Sequence, residues 1–153
     1  MIHRLIIRFL RAGTIISTLG LLASVVWQIF ARFFLPSAPA WTEEASRLFF
    51  IYSVAFAGGL ALEKGEFVQL EWFYEKLSSP IQSVLKIIIP VCSFILFLVV
   101  GGFAIQFMLQ GHAEFAPGMK IRMSWVFLSM VIMGLSLSYV AATHIRDQIK
   151  PNA

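Results

Sequence analysis

Four stretches of this chain carry no Lys, Arg, Asp or Glu: Ala12 to Ala31, Leu48 to Leu62, Ile87 to Ala113 and Met123 to Ile145. Most approach the roughly 20 residues that cross a bilayer as α-helix. The Leu48 to Leu62 run is short and reaches full length only if its helix takes in Arg47, Glu44 and Glu43 at the interface. The pattern therefore predicts spans at about 12–34, 43–63, 80–110 and 123–146. Between the second and third, the periodicity changes. On a helical wheel Phe67, Leu70, Phe73, Tyr74 and Leu77 fill an arc of about 120°, with Gln69, Glu71, Glu75 and Lys76 outside it. That segment, 66–77, is too short and too charged to cross and predicts an amphipathic helix lying in the membrane plane. The expected fold is an all-α integral membrane protein, one membrane domain over 1–153, with four transmembrane helices and one interfacial helix.

Composition agrees with this pattern and removes the soluble classes. Hydrophobic residues make up 59% and charged residues 13%, and the mean hydropathy is +0.83. A soluble domain of this length needs more polar surface. Arg4, Arg8, Arg11, Lys64, Lys76, Lys86, Arg146 and Lys150 fall on one side of the four-helix topology, against Arg32, Arg47, Lys120 and Arg122 on the other. The side richer in Lys and Arg faces the cytoplasm, so both termini are expected there. The formal charge of +4 reflects this bias; the dispersed cations make no nucleic-acid footprint. Read as a signal peptide, the first helix would be too long and would have Arg32, Phe33 and Phe34 between it and the small residues Ala38-Pro39-Ala40. It is expected to stay. The lone Cys92 allows no internal disulfide and reads as an inert packing residue.

The chemistry concentrates between Pro36 and Leu77. In Trp41-Thr42-Glu43-Glu44-Ala45-Ser46-Arg47, Thr42 is expected to cap the helix, and Glu43 and Glu44 lie against the positive end of its dipole. Glu43 and Arg47 stand one turn apart with Glu44 beside them, which marks a charged contact face. Arg47 is expected to pair with Glu43. Glu44 is then left for a neighbouring chain or helix, with Arg32 a candidate. In the acidic segment 66–77, charge attraction to anionic lipid is not expected. Val68 and Trp72 on its polar side offer a second apolar contact, with a partner protein or among lipid headgroups.

Small residues mark packing faces on three of the four spans. Gly13, Ser17, Gly20 and Ser24 form a stripe open to a neighbouring backbone, Ala55 to Gly59 and Ala57 to Ala61 repeat at four residues beside Gly58, and Gly134, Ser138 and Ala142 do the same. Ser79-Pro80-Ile81-Gln82 predicts a capped start to the third helix, with a kink at Pro90. Gln106 and Gln110 are expected to hydrogen-bond a neighbouring helix. His112 with Glu114 falls short of a metal site, which needs three or four grouped donors. No ionisable residue lies mid-span and no nucleophile and base are juxtaposed. Catalysis, a cofactor, a metal and substrate transport by this chain alone are therefore not expected.

The order of Arg32, then Trp41-Thr42-Glu43-Glu44 with Arg47, then Gly58-Gly59, Ala61-Leu62 and Lys64-Gly65-Glu66-Phe67-Val68, resembles the small, DctQ-like membrane subunit of tripartite ATP-independent periplasmic (TRAP) transporters. Ile121-Arg122-Met123-Ser124-Trp125 and Gly134 extend the resemblance over nearly the whole chain. A His commonly follows the Gly-Glu pair in that family, with an Asp a few residues later; here Phe67 and Glu71 stand there. The resemblance implies a bacterial inner-membrane scaffold subunit. Its partners would be a large membrane subunit that holds the substrate and sodium sites, a periplasmic substrate-binding protein and membrane lipids, in sodium-coupled uptake of a C4-dicarboxylate or a sialic acid. Arg32, Trp41, Glu43, Glu44, Arg47, Gly58, Gly59, Glu66, Phe67 and Trp72 are then the expected contact residues. A self-assembling small transporter and a membrane adaptor or assembly factor are the alternatives.

Overall fold

The computed structural model describes residues 2–35, 39–65 and 78–149, with backbone alone at 79, 80, 83, 147 and 149. Among the described residues there are four helices: α1 (Ile2–Phe34), α2 (Trp41–Glu63), α3 (Ser79–Gln110) and α4 (Met123–Ile149). Each is long and apolar enough to cross a membrane. The segment 66–77 expected to lie along the interface, with Glu66, Phe67 and Trp72, is outside the described residues.

Three helix starts differ from expectation. α1 begins at Ile2 rather than near residue 12. Arg4, Arg8 and Arg11 recur at helical spacing on the exposed side while Ile7 and Leu10 are buried, so one amphipathic phase carries the helix beyond its uncharged run. At 33 residues it is about 50 Å long, more than the hydrocarbon thickness. α2 begins at Trp41 because Ala40, before it, is already in helical conformation. Thr42 thus sits in the first turn and makes no N-cap; its N–H and hydroxyl both donate to the Pro39 carbonyl, at 3.2 and 2.8 Å. α3 is preceded by Ser78 in extended backbone, one residue before the expected cap at Ser79. The Ser78 carbonyl accepts the N–H groups of Ile81 and Gln82. α3 then continues through Pro90 as one helix.

The helices form a row. α1 packs on α2, α2 on α4 and α4 on α3, which gives the spatial order α1, α2, α4, α3 instead of a closed bundle. Small residues set each crossing. A Cβ at Gly13 would fall 2.7 Å from the Phe56 ring, and one at Gly20 would fall 2.6 Å from the Phe49 ring. The α1 stripe is therefore filled by two aromatic rings of α2 rather than by a close backbone. Gly59 lies between Leu10 of α1 and Ser136 of α4, each 3.0 Å from where a Cβ would stand. At the α3 and α4 crossing, a Cβ on Gly134 would come within 2.6 Å of the Gly101 Cα.

Burial follows this order. Leu10, Ile7 and Phe56 form a core cluster with Ile6, Tyr52, Leu60 and Ile132 packed on it. α4 also buries Ser129, Ser136, Leu137, Ser138, Val140 and Ala141. Ser129 and Ser136 return their hydroxyls to the carbonyls of Val126 and Met133 at 2.6 and 3.0 Å, so these polar atoms enter the core satisfied. α3, at the end of the row, leaves Cys92 exposed rather than packed.

Candidate partner interface

The start of α2 and the connection between α3 and α4 meet at one face of the row, here termed the loop face. The connection folds into a small hairpin. Phe115 and Arg122 pair across it, Ala116 N–H donates to the Ile121 carbonyl at 2.8 Å, and Lys120 N–H donates back to Ala116 at 2.8 Å. Lys120 takes a left-handed conformation at φ 54°, which turns the chain tightly enough to present the next-door amides of Gly118 and Met119 together. Both donate to Glu44, Gly118 N–H to Oε1 at 2.8 Å and Met119 N–H to Oε2 at 2.6 Å. Such charge-assisted bonds are short and strong. A Cβ at Gly118 would lie 3.0 Å from the Glu44 carboxyl carbon and 3.1 Å from the Ala40 carbonyl oxygen, so only glycine lets the hairpin come down this far without displacement.

Glu44 is therefore taken up within the chain, which corrects the expectation that it stands free for a neighbour or for Arg32. The expected Glu43 and Arg47 pair is also not formed. Among the described residues no ion pair joins these two, nor Arg32 to Glu44. The reason is positional: Glu43 and Arg47 are exposed at a helix end, where water screens the attraction and side-chain entropy opposes it. Both line a shallow cleft of about 350 Å³ with Ala40, Glu44, Pro117 and Gly118. Arg32, in the last turn of α1, and Trp41 are exposed on the same face. Below the hairpin, Ser17, Leu48, Phe49, Tyr52, Met119, Ile121 and Trp125 line an apolar groove of about 400 Å³. The Tyr52 hydroxyl donates to the Trp125 carbonyl at 2.6 Å and ties α2 to the first turn of α4.

The two candidate glycines part company. Gly59 is buried against α1 and α4, whereas a Cβ on Gly58 would find its nearest atoms, on Met133 and Leu137, at 3.9 to 4.0 Å. Gly58 thus lies in ordinary contact distance. Among the described residues no group of three or more His, Cys, Asp or Glu could hold a metal. The His112 ring meets the Arg122 guanidinium.

At the opposite face sequence reasoning missed a second tie. His3 Nε2 lies 3.2 Å from Glu63 Oε1, the Tyr139 hydroxyl is 3.5 Å from His3 Nδ1, and the His3 and Tyr139 rings stack with centroids 6.0 Å apart. One residue from each of α1, α2 and α4 meets there. The row is fastened at both faces, and what it presents outward is a charged cleft at the loop face and long apolar flanks. That leaves the cleft and the flanks as the surfaces open to a partner.

Comparison with known proteins points the same way. The family model of the DctQ component of tripartite ATP-independent periplasmic transporters matches residues 21–150. A Haemophilus influenzae protein provisionally named a TRAP transporter small permease protein is 22% identical over 127 residues, which cover 83% of this chain and 77% of that protein. The sialic acid TRAP transporter small permease protein SiaQ of Vibrio cholerae is 34% identical over 58 residues, 38% of this chain and 34% of its own length. The family match takes in α2, α3 and α4 whole, with the Glu44 tie and the cleft beside it, and the chain belongs to the DctQ-component family of tripartite ATP-independent periplasmic transporters.

Proposed function

We propose that this chain is the stationary small subunit of a TRAP-type secondary transporter in the bacterial inner membrane, with both termini cytoplasmic. Membership of the family implies association with a large membrane subunit and a periplasmic binding protein. In this reading the large subunit carries the substrate and sodium sites, and the binding protein delivers an organic acid. The sialic acid named for the Vibrio cholerae relative and the C4-dicarboxylates are the substrate classes to test. The subunit is not an enzyme.

The observation that carries the reading is the Glu44 tie. A free-standing carrier needs an intramembrane carboxylate or other ionisable group free to bind and release its cargo. Here Glu44, one of the two carboxylates at the start of α2, is held by two backbone amides, and the other, Glu43, is exposed in the first turn, at the helix end rather than within the span. A row of helices fixed by Glu44 at one face and by His3, Glu63 and Tyr139 at the other suits a rigid base against which a moving partner works. Arg47, Glu43, Arg32 and Trp41 lie where a periplasmic partner would reach them, and Gly59 keeps the base itself close-packed.

Reconstitution tests this. Proteoliposomes holding the large subunit with this chain, given the binding protein and an inward sodium gradient, are expected to accumulate labelled substrate. Omission of this chain should abolish uptake or reduce assembled large subunit. Uptake by this chain alone would overturn the proposal.

A further inference from the structure

We propose that the large membrane subunit docks on the face of α3 that carries Gly102, Gln106 and Gln110; the inference rests on the reading above and names its contact. α3 ends the row and, among the described residues, packs chiefly on α4, through Gly101 and Ala104, both buried. Gly102, Gln106 and Gln110 recur at four residues and fall within an arc of about 80°, roughly opposite that packed side. All three are exposed. No atom lies within 4 Å of a Cβ placed on Gly102, so no contact among the described residues accounts for a glycine there, although it costs the helix about as much as any residue but proline. Neither glutamine side chain hydrogen-bonds to the described chain.

Hydrocarbon offers a primary amide neither donor nor acceptor, so Gln106, a full turn inside the end of α3, is best satisfied by protein, whereas Gln110 in the last turn also meets the interface. A transmembrane partner helix does this, and the missing side chain at Gly102 lets its backbone come close. α1, at the other end of the row, makes a useful contrast. Its exposed flank displays Leu5, Phe9, Ile15, Leu19, Leu22 and Val26, with Thr18 among them, whose hydroxyl, unlike a primary amide, can be satisfied by a carbonyl of its own helix. The two ends of the row thus differ in chemistry, and the end that calls for a hydrogen-bonding neighbour is α3. Because the family is one component of a several-part transporter, that neighbour is the large subunit rather than a second copy.

A benzophenone amino acid at position 106, in chain co-expressed with the large subunit, is expected to capture the large subunit on illumination, and the same group at position 19 of α1 should capture none. Gln106→Leu and Gly102→Leu should each lower the co-purified large subunit by roughly threefold to tenfold. Gln106→Leu raises the hydropathy of α3, so failure to insert cannot account for its loss. Capture from position 19 but not from 106, or undiminished co-purification of both variants, overturns the docking face and leaves the subunit reading intact. Capture of a second copy from position 106 overturns the choice of partner. A wild-type chain that does not co-purify with the large subunit overturns the reading itself.

Discussion

Glu44, in the first turn of α2, accepts the backbone N–H of Gly118 at 2.8 Å across 74 positions of chain. The contact turns a loop that could vary in position into a fixed cover over the α1, α2 and α4 junction. Because Met119 N–H joins at 2.6 Å, the carboxylate is held by both oxygens and is itself stabilised by the dipole of α2.

Glu44→Gln retains one acceptor oxygen and Glu44→Ala none. Hydrogen bonds to a charged group contribute about 1.5–3 kcal/mol each when sheltered, and less at a part-wet site such as this one. We expect Glu44→Ala to lower unfolding stability in detergent by about 1–3 kcal/mol and Glu44→Gln by less. Hydrogen exchange at the Gly118 and Met119 amides is the direct readout. Unchanged protection of both in Glu44→Ala would remove the tie.

The adjacent glycines of α2 should behave differently. Gly59→Ala forces Leu10 or Ser136 aside from 3.0 Å, and overpacking of this sort costs typically 1–3 kcal/mol. Gly58→Ala meets Met133 and Leu137 at 3.9 to 4.0 Å and gains helix propensity of up to about 1 kcal/mol. Thermal denaturation should rank Gly58→Ala at or above wild type and Gly59→Ala below it. Equal melting temperatures would contradict the packing of this face.

At the α3 and α4 crossing the expected asymmetry is between helices. A Cβ on Gly134 would strike the Gly101 Cα at 2.6 Å, backbone that cannot turn aside, whereas a Cβ on Gly101 would find its nearest atom at 3.5 Å. Gly134→Ala should therefore separate the helices and destabilise by about 1–3 kcal/mol or more, and Gly101→Ala should be mild. A disulfide-trapping or fluorescence distance between α3 and α4 would report the separation; no difference between the two variants would count against the crossing.

The spans were legible because charge stays out of hydrocarbon, which leaves its mark in every window of about 20 residues. The helix ends were less so. Arg4, Arg8 and Arg11 bounded the apolar run of α1 without bounding its helix, since a charge at the right phase does not stop a helix. Thr42 is a good capping residue type, but the conformation of Ala40 decides where α2 starts. Small-residue stripes told which faces pack closely and not with what: Gly13 and Gly20 receive the rings of Phe56 and Phe49. The Glu44 and His3 ties join residues 74 and 60 positions apart, and a contact at such separation leaves no local periodicity to read. Gln106 and Gln110 were expected to bond a neighbouring helix; among the described residues neither does so.

Arg47 lines the cleft with Glu43 without pairing to it. In the isolated chain, Glu43→Ala, Arg47→Ala and the double change should therefore combine additively within about 0.5 kcal/mol. Where the cleft meets a partner, Arg47→Ala should lower uptake while the amount of assembled complex holds. A coupling energy above about 1 kcal/mol in the isolated chain would reinstate the pair.

The proposed orientation rests on Lys and Arg alone, so its test is tied to the two faces. Glu44 and Gly118 belong to the loop face; His3 and Glu63 mark the opposite one. Ala113 and Ser78 are exposed on these respective sides, and each differs from cysteine by little volume. In a Cys92→Ala background, Ala113→Cys should react with a membrane-impermeant maleimide added to intact cells, and Ser78→Cys should react only after the membrane is opened. The bias of Arg4, Arg8, Arg11, Lys86 and Arg146 toward the His3 side sets this expectation, because translocation of such residues is what the positive-inside rule disfavours. Labelling of Ser78→Cys from outside, with Ala113→Cys protected, would invert the chain in the membrane. The Arg47 cleft would then face the cytoplasm, out of reach of any periplasmic protein, and the docking role proposed for that face would fail with it.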